Sequence, residues 1–400
     1  MTRTSPSPDD SMPDAAGKDT IASSTLVWTP RATAQRPLER VTDISLRLLD
    51  WFTRCQRPLP WRQTYAPYAV WIAEVMLQQT QMDRAVAYYA RWMDRFPDLR
   101  ALAAADEDDV LKLWEGLGYY TRARNLRLAA RYILDRYDGE LPAEEAALRA
   151  LPGVGAYTAA AILSQAFGQD LPAIDANAER VLARLFDVDA PVKEKAGRLR
   201  IHELATTLLP SGRARDFNQA LMEFGALVCT RRPRCAECVL ADTCESLRLG
   251  IVGERPVRLK SPAIVHLNVA TGVLVREGRL FIQKRPQRGA WAGLWEFPGG
   301  RIEPDEAPAR TVEREFLEET ELRVRSVESL GQVRHGYTTY RVTLHCFRCI
   351  LDQDTPTPIL HAATTCRWVQ PSDLGRYAFP AGHRLLVDRL LQSRHFAVTS

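Results

Sequence analysis

The chain has 400 residues, of which 46% are hydrophobic and 26% charged, and its formal net charge at pH 7 is +4. This length predicts two or three domains, and this composition is typical of a globular protein. No apolar run reaches the roughly 18 residues of a membrane span, and the N-terminus lacks the basic-then-apolar order of a signal peptide. We therefore expect a cytoplasmic protein with no membrane partner. The mild positive charge permits a nucleic-acid partner without requiring one.

The N-terminal half is predicted to be helical after a disordered tail. Residues 1–36 are rich in Ser, Thr, Pro and Asp and lack periodicity, which predicts the tail. Over residues 37–245 apolar residues recur every three or four positions between short Pro and Gly turns, which predicts an all-α domain. Residues 246–262 contain few apolar anchors and are expected to form a linker.

Residues 263–400 are predicted to form an α+β domain. Two strand-like runs flank a turn at Glu277-Gly278, and the stretch RVTLHCFRCIL alternates like a further strand. Between them, EAPARTVEREFLEET has helical spacing. Strands combined with a helix in this order favour the α+β class.

In the predicted helix WIAEVMLQQT, Glu74 lies among Trp, Ile, Val, Met and Leu. A buried ionised carboxylate is costly unless it is paired, protonated or used chemically. An apolar surrounding would raise the pKa of Glu74 and keep it a protonated acid.

Asp175 directly precedes the helical stretch ANAERVLARLF, where an Asp is an expected N-cap. Capping is the simpler interpretation, and it is compatible with catalysis. Backbone N–H groups at a helix start are expected to lower the pKa of Asp175 and keep it ionised. A neutral acid at Glu74 and an anion at Asp175 would suit cleavage of a glycosidic bond through an oxocarbenium-like state.

The stretch LPGVGAYTAAAIL contains two glycines, Gly153 and Gly155, that predict a tight turn between helices. Such a turn leaves backbone N–H groups at a helix N-terminus free to bind an anion such as a DNA phosphate. A turn with no ligand is about equally compatible with the two glycines alone. The flanking residues favour the helix-hairpin-helix interpretation.

Four cysteines fall within sixteen residues and predict a metal or cluster site: Cys229, Cys235, Cys238 and Cys244. Zinc sites more often use two CxxC pairs, whereas one CxxC flanked by five-residue gaps suits an iron-sulfur cluster. Scattered core thiols are the competing interpretation. Cys346 and Cys349 lie three apart on a predicted strand and so face opposite sides, which argues against a shared ligand role.

A further set of residues follows the spacing G-x5-E-x7-R-E-x2-E-E: Gly300, Glu306, Arg314, Glu315, Glu318 and Glu319. On one helix face, the carboxylates of Glu315, Glu318 and Glu319 could hold Mg²⁺ against a pyrophosphate. An acidic solvated face balanced by arginines is an equally good interpretation.

Together, the motifs EVMLQQTQ, GLGYYTRARNL, LPGVGAYTAAAIL, the Asp-x-Asn at 175–177 and the cysteine loop closely resemble the MutY-type adenine DNA glycosylases of the helix-hairpin-helix glycosylase superfamily. The C-terminal part resembles the Nudix-like domain with which these enzymes recognise 8-oxoguanine. The resemblance implies a two-lobed all-α glycosylase domain with a [4Fe–4S] loop at 229–244. The implied partner is double-stranded DNA with adenine opposite 8-oxoguanine or guanine. The resemblance also implies that the protein is a monomer associated with the nucleoid.

The resemblance also implies residue roles. Glu74 matches the acid that protonates adenine, Asp175 the carboxylate that stabilises the sugar cation, and Tyr157 and Asn177 the pocket residues that assist them. Gln79 matches the side chain that fills the gap left by the flipped base. The other implied DNA contacts are Arg62, Thr80, Tyr119, Gly153 and Gly155.

Three positions depart from the family pattern. The first cysteine gap is five residues where six are common. Tyr337-Thr338-Thr339 stands where the lesion-recognition loop usually has Phe-Ser-His, so its His is replaced by Thr339. Glu321 stands where a Nudix box has Gly, at a helix end where a positive φ is expected.

Three other functions compete with adenine excision. An endonuclease III-like glycosylase and lyase acting on oxidised pyrimidines would need a Lys nucleophile where this chain has Tyr157. A nucleotide pyrophosphohydrolase would depend on Mg²⁺ and Glu318. A lesion-binding protein without catalysis would not need the buried acid Glu74.

Overall fold

The computed structural model describes residues 37–259, 263–289, 291–352 and 357–392. The tail expected over residues 1–36 lies outside this described part. The described chain forms a helical part followed by a sheet domain. Within these ranges, each helix is too short or too polar to cross a bilayer.

The helical part divides into two lobes, each with its own buried apolar cluster. In chain order its helices are α1 (Pro37–Cys55), α2 (Pro67–Leu77), α3 (Met82–Arg95), α4 (Leu99–Ala104), α5 (Glu107–Trp114), α6 (Thr121–Arg136), α7 (Glu145–Arg149), α8 (Ala156–Ala166), α9 (Ala176–Leu185), α10 (Lys195–Leu208), α11 (Ala214–Leu227) and α12 (Glu245–Arg248).

The first lobe comes almost entirely from one continuous stretch, α2 to α8. Trp71, Trp92 and Trp114 are completely buried in it, and Trp92 meets Trp114 edge-on with ring centroids 5.4 Å apart. α2 is apolar around its whole circumference and contacts α3 and α8, so it lies inside the lobe. This position explains why Glu74 is buried.

The second lobe joins α1 to α9, α10 and α11, so the first described helix packs against residues far along the chain. Trp51 of α1 meets Phe224 of α11 edge-on, with ring centroids 5.0 Å apart. The cysteine loop follows α11 and packs on this lobe.

The first residues of the expected linker also pack on the second lobe. Ser246 is completely buried, and Arg184 of α9 donates to the carbonyl oxygens of Val252 and Arg255, both at 3.1 Å. Arg255 pairs in turn with Asp187 at 2.8 Å. Residues 246–255 are therefore held by the helical part, and residues 260–262 lie outside the described chain.

The C-terminal domain is built on a mixed sheet. Its strands are β1 (Val265–Arg276), β2 (Arg279–Lys284), β3 (Trp295–Glu296), β4 (Gly299–Arg301), β5 (Val324–Tyr337), β6 (Tyr340–Leu351) and β7 (Thr365–Val369). The strand order is β3-β2-β1-β6-β5, with β4 paired to β1 and β7 to β2. The β1–β6 pair is parallel and the other pairs are antiparallel. Glu277 and Gly278 form the β1–β2 turn with positive φ values of 49° and 71°, as the sequence predicted.

Helices cover both faces of this sheet. α13 (Pro308–Thr320) and α14 (Ala381–Gln392) belong to different apolar clusters. Val273 of β1 lies in the cluster with α14, and its neighbour Leu274 lies in the cluster with α13. Because successive residues of a strand face opposite sides, the helices sandwich the sheet. The domain is therefore α/β, which refines the predicted α+β class.

The sheet domain docks on the first lobe of the helical part. Leu294 and Ala378 join the apolar cluster of that lobe. Lys284 pairs with Asp108 of α5 at 2.6 Å, and the indole N–H of Trp295 donates to the same carboxylate at 3.3 Å.

Candidate active site

Glu74 lies on α2 and is only 4% exposed. The Gln165 side-chain amide donates to its Oε1 at 2.6 Å, and the Tyr157 hydroxyl donates to its Oε2 at 2.8 Å. Burial raises the pKa of Glu74, the nearby Asp175 charge adds to this, and the two hydrogen bonds and Arg62 oppose it. The sequence-based expectation that burial raises this pKa is confirmed.

Asp175 is the N-cap of α9. Its Oδ1 accepts from the backbone N–H groups of Asn177 at 2.9 Å and Ala178 at 2.7 Å, and its Oδ2 accepts from the Asn177 side-chain amide at 2.7 Å. Burial nevertheless raises the pKa of Asp175, because desolvation outweighs these three donors. The expected lowering of this pKa is therefore wrong, since the sequence did not reveal how deeply the cap lies between the lobes.

Tyr157 stands between the two carboxylates. Burial and the charges of Glu74 and Asp175 together raise its pKa well above the usual value of 10.0, so it is a neutral phenol. Its hydroxyl also contacts the Met222 sulfur at 3.4 Å. Glu74, Tyr157 and Asp175 therefore lie close enough together for the charge on either carboxylate to affect the other two groups.

A second polar cluster forms the wall of the site next to Glu74. Arg62, whose side chain is 10% exposed, donates to Glu223 at 2.8 Å and to Gln219 at 2.6 Å. Arg57 donates to the other oxygen of Glu223 at 2.7 Å. The two arginines lower the pKa of Glu223 despite its burial. Arg62, which was expected as a DNA contact, therefore lies close enough to the buried acid Glu74 to affect its pKa.

Sequence reasoning missed four residues of α8 and α11 that contact the groups of this site: the polar Gln165, Gln219 and Glu223 and the apolar Met222. The signal that identified Glu74 was also present for Glu223, which stands in the apolar stretch FNQALMEFGAL and is 2% exposed. Gln165 follows the helix-hairpin-helix motif by two positions, and no sequence pattern marked it.

Arg122 binds together the segments that contain Gln79 and Tyr119. It donates to the carbonyl oxygens of Val75 and Gln78 at the end of α2, at 2.8 and 2.6 Å. It also donates to those of Leu117 and Gly118 at 3.2 and 3.1 Å. The backbones of Gln79 and Tyr119 both have positive φ, 56° and 46°.

A cavity of about 360 Å³ opens beside these segments. Gln79, Tyr119 and Gly153 line it together with Trp291 from the loop between β2 and β3. The structure therefore brings three of the expected DNA contacts to one surface, next to the sheet domain. Thr80 follows Gln79 directly, and its hydroxyl donates to the Gln78 carbonyl at 3.4 Å.

The helix-hairpin-helix turn has the expected backbone. Gly153 has φ +78°, and a Cβ there would meet the Asn125 side chain at 2.8 Å. Gly155 is the N-cap of α8, is exposed, and has open space around it. The N–H groups of the first turn of α8 thus face an accessible surface.

The four cysteines of the loop are all free and partly buried. Burial raises the pKa of Cys238 to about 11, and the charges of the other three thiols add to this rise. Arg184, 2% exposed, donates to the Cys229 sulfur at 3.4 Å and to the Thr230 carbonyl at 2.6 Å. No carboxylate among the described residues forms an ion pair with Arg184. The described residues contain no group of three or more His, Cys, Asp or Glu side chains arranged to hold one metal ion.

A continuous set of hydrogen bonds links the cysteine loop to Asp175. Arg180 donates to the Cys229 carbonyl at 2.8 Å and to the Asn177 side-chain oxygen at 2.8 Å. Asn177 in turn donates to Asp175. The loop geometry and the orientation of the Asp175 carboxylate therefore depend on each other.

The expected lesion-recognition residues form the tip of the β5–β6 hairpin. Tyr337 pairs with Tyr340 across the turn, and Thr338 has a positive φ of 50°. Thr338 is exposed, and its carbonyl accepts from Arg341 at 3.3 Å. The tip is thus available to a partner.

The box on α13 is held by contacts within the protein. Arg314 pairs with Glu306, Glu315 and Glu318 at 3.0, 2.9 and 3.1 Å. Glu319 accepts from the Gln283 amide at 2.9 Å, and burial raises its pKa to about 8. Each of these four carboxylates thus has a hydrogen-bond or ion-pair partner within the protein.

Glu321, which stands at the box glycine position, caps α13 with φ 57°, as predicted. Its carboxylate lies 2.8 Å from His361.

Comparisons with known proteins agree with this geometry. Residues 72–205 match the HhH-GPD superfamily base excision DNA repair protein model, and residues 270–389 match the NUDIX domain model. The adenine DNA glycosylase of Homo sapiens is 34% identical over 80% of this chain and 69% of the human protein. That of Buchnera aphidicola subsp. Baizongia pistaciae is 35% identical over 63% of this chain and 72% of the Buchnera protein.

The chain belongs to the adenine DNA glycosylase family. This assignment confirms the enzyme class and the two-part organisation predicted from the sequence. Among solved structures, that of a thermostable thymine-DNA glycosylase superposes with a TM-score of 0.49 and 30% identity, and the match covers 53% of this chain and 98% of that one.

Proposed function

We propose that this enzyme removes adenine from DNA when adenine lies opposite 8-oxoguanine or guanine, by hydrolysis of the N-glycosidic bond and without strand cleavage. The observation that carries the proposal is the buried acid Glu74, hydrogen-bonded to Tyr157 and within charge range of Asp175. A buried neutral acid close to a capped carboxylate is the pair that cleavage of a glycosidic bond requires.

In the proposed reaction, Glu74 gives its proton to a ring nitrogen of the flipped adenine. The C1′–N9 bond then breaks, and its electron pair leaves with the base. Asp175 stabilises the positive charge that develops on the sugar. Water adds to C1′, and its proton returns to the Glu74 carboxylate, which restores the acid. Tyr157 orients the Glu74 oxygen to which it is bonded.

The hydrogen bonds of Asp175 support its role as the anionic partner. Its Oδ1 already accepts two backbone N–H groups, and its Oδ2 accepts the Asn177 amide. Oε2 of Glu74 instead contacts the Tyr157 hydroxyl, which can donate to the ionised carboxylate or accept from the protonated acid. Of the two carboxyl groups, Glu74 is therefore better suited to hold and release a proton.

The absence of an amine at position 157 supports a glycosylase without lyase activity. A phenol cannot form a Schiff base with the sugar, so the endonuclease III-like reaction has no nucleophile at this position. Borohydride reduction during turnover is expected to trap no covalent protein–DNA adduct. A trapped adduct would overturn this part of the proposal.

The residues around the shared cavity suit a DNA duplex. Gln79 is expected to fill the space of the flipped adenine, Thr80 and Tyr119 to contact the opposite base, and the turn at Gly153 and Gly155 to bind a backbone phosphate. Tyr337 and Thr338 at the β5–β6 tip are expected to contact 8-oxoguanine. One copy of the chain contains all of these groups, so we expect a monomer to act.

The cysteine loop suits a [4Fe–4S] cluster held by Cys229, Cys235, Cys238 and Cys244. The completely buried Arg184 needs a negative partner, and thiolates bound to iron supply one. When bound, the cluster cross-links the loop and so fixes Arg180 and Asn177 behind Asp175.

The proposed function is tested by single-turnover base release from duplexes with adenine opposite 8-oxoguanine, guanine, cytosine or thymine. We expect the fastest release opposite 8-oxoguanine and the next fastest opposite guanine. A duplex with an oxidised pyrimidine should yield no product. Release of the pyrimidine but not of adenine would contradict the proposal.

A further inference from the structure

The segment Glu115–Tyr120 joins α5 to α6 and contains Tyr119, yet the sheet domain holds it in place. The Glu115 Oε1 accepts from the backbone N–H of Phe379 and from Arg384 Nε, both at 2.8 Å. The Tyr120 hydroxyl donates to the Phe379 carbonyl at 3.3 Å. Both ends of the segment are therefore attached to the chain just before and within α14.

The contact between Glu115 and Arg384 is shielded from water. The two side chains are 12% and 18% exposed, and Arg384 also donates to the Tyr377 carbonyl at 2.6 Å. The other oxygen of Glu115 accepts from Lys112. A shielded, multiply bonded ion pair holds its partners more firmly than an exposed pair does.

The same segment is fastened to the helix of the catalytic acid. Arg122 bonds the carbonyls of Leu117 and Gly118 in the segment and those of Val75 and Gln78 in and after α2. α2 contains Glu74, and Gln79 follows it. Hydrogen bonds joined through the backbone of the Glu115–Tyr120 segment thus connect α14 of the sheet domain to the helix that contains the acid and to Gln78, the residue before the expected wedge.

We propose that Glu115 and Arg384 are positioning residues through which the sheet domain sets the placement of Tyr119 and Gln79 against the base opposite adenine. They act through the Glu115–Tyr120 segment and not by touching DNA. The inference rests on the proposed function, since it concerns how strongly 8-oxoguanine is preferred over guanine. Loss of the pair loosens that placement and reduces the preference.

The test compares single-turnover excision rates on duplexes with adenine opposite 8-oxoguanine and opposite guanine. The proteins are the wild type, Glu115→Gln, Arg384→Met and the double variant. Each single variant is expected to lower the ratio of the two rates at least about fivefold, mainly through the rate opposite 8-oxoguanine. The double variant should lower the ratio no further, because both changes remove the same ion pair.

Arg389→Met is the matched control, because Arg389 also lies on α14 but donates to the Gln332 carbonyl of its own domain. Its rate ratio should equal that of the wild type. In Glu115→Gln the side-chain oxygen still accepts from the Phe379 N–H, so this variant can be measured even if Arg384→Met fails to fold. Thermal unfolding of each variant shows whether it is folded.

The outcomes separate this inference from the proposed function. A wild type that releases adenine from neither duplex contradicts the proposed function, whereas one that releases it equally from both overturns the inference alone. A wild type with the preference, together with variants that keep it, overturns the inference alone. Equal decreases in excision rate on both duplexes would show that the Glu115–Arg384 contact is purely structural, and would also overturn the inference.

Discussion

The Gln165 amide donates to Glu74 Oε1 across 2.6 Å in a place where both side chains are buried. The amide N–H can only donate, so it favours an oxygen that does not carry the proton. The proton of the neutral acid is thereby directed to Oε2, the oxygen that Tyr157 contacts. Gln165 therefore influences both the pKa of Glu74 and the direction from which its proton leaves.

Gln165→Leu is predicted to shift the pH dependence of adenine excision. Loss of a donor to the carboxylate disfavours the ionised form and raises the pKa of Glu74 further, against the same background of Tyr157, Asp175 and Arg62. Since the protonated form is active, the alkaline limb of the single-turnover rate profile should move to higher pH.

Ser164→Ala is the control for Gln165→Leu, because Ser164 is the buried neighbour whose hydroxyl donates to the Ala161 carbonyl of its own helix. Its profile should match that of the wild type. An unchanged or lowered alkaline limb in Gln165→Leu would contradict the role of this hydrogen bond.

Glu74→Gln is predicted to lose excision by roughly 10²–10⁴-fold and to gain thermal stability. The folded state raises the pKa of Glu74 above its ordinary value of 4.5, so the unfolded chain releases this proton at lower pH than the folded protein does. Wild-type stability therefore falls as pH rises through the window between these two values. Glu74→Gln has no carboxyl group at this position and so does not lose stability in this way. The Tm of the variant minus that of the wild type should therefore increase with pH between the two pKa values. A Tm advantage that shrinks as pH rises would refute this account.

Asp175→Asn is predicted to lower excision by roughly 10²–10³-fold while the fold and duplex binding persist. Asn is as good an N-cap as Asp, so α9 keeps its first-turn hydrogen bonds. The change removes the negative charge opposite the sugar cation. Excision rate, binding to an A:8-oxoguanine duplex and Tm should be measured together. Full activity in a folded variant would exclude Asp175 as the anionic partner.

The purified protein is predicted to be yellow-brown and to contain about four iron atoms per chain. Arg184→Met should reduce the iron content, because it removes the cation next to the Cys229 sulfur. Iron and zinc analysis with the visible absorption spectrum checks both statements. A colourless protein with one zinc per chain would overturn the cluster assignment.

Much of the site could be predicted because its signals are local. Glu74 stood out as a carboxylate in an apolar helix, Gly153 and Gly155 as a tight turn, and the cysteines by their spacing. The Glu277-Gly278 turn and the positive φ of Glu321 likewise follow from short-range backbone rules.

The remaining features depend on tertiary structure. The raised pKa of Asp175 reflects burial between two lobes, which no local pattern measures. The partnership of Arg62 with Glu223 joins residues far apart in the sequence, as does that of Glu115 with Arg384. The placement of α13 and α14 on opposite faces of the sheet, and the parallel β1–β6 pair, depend on tertiary packing that strand propensity does not specify.

The long-range packing of α1 against α11 sets an order in which the enzyme can assemble during synthesis. The lobe with Glu74 comes from a nearly continuous stretch and can begin to form as it leaves the ribosome. α1 is made earlier but must wait for α11, so the apolar side chains of Ile44, Leu48 and Phe52 stay uncovered in the meantime. Until the second lobe closes around Asp175, the apolar face of α1 is therefore exposed and prone to aggregation.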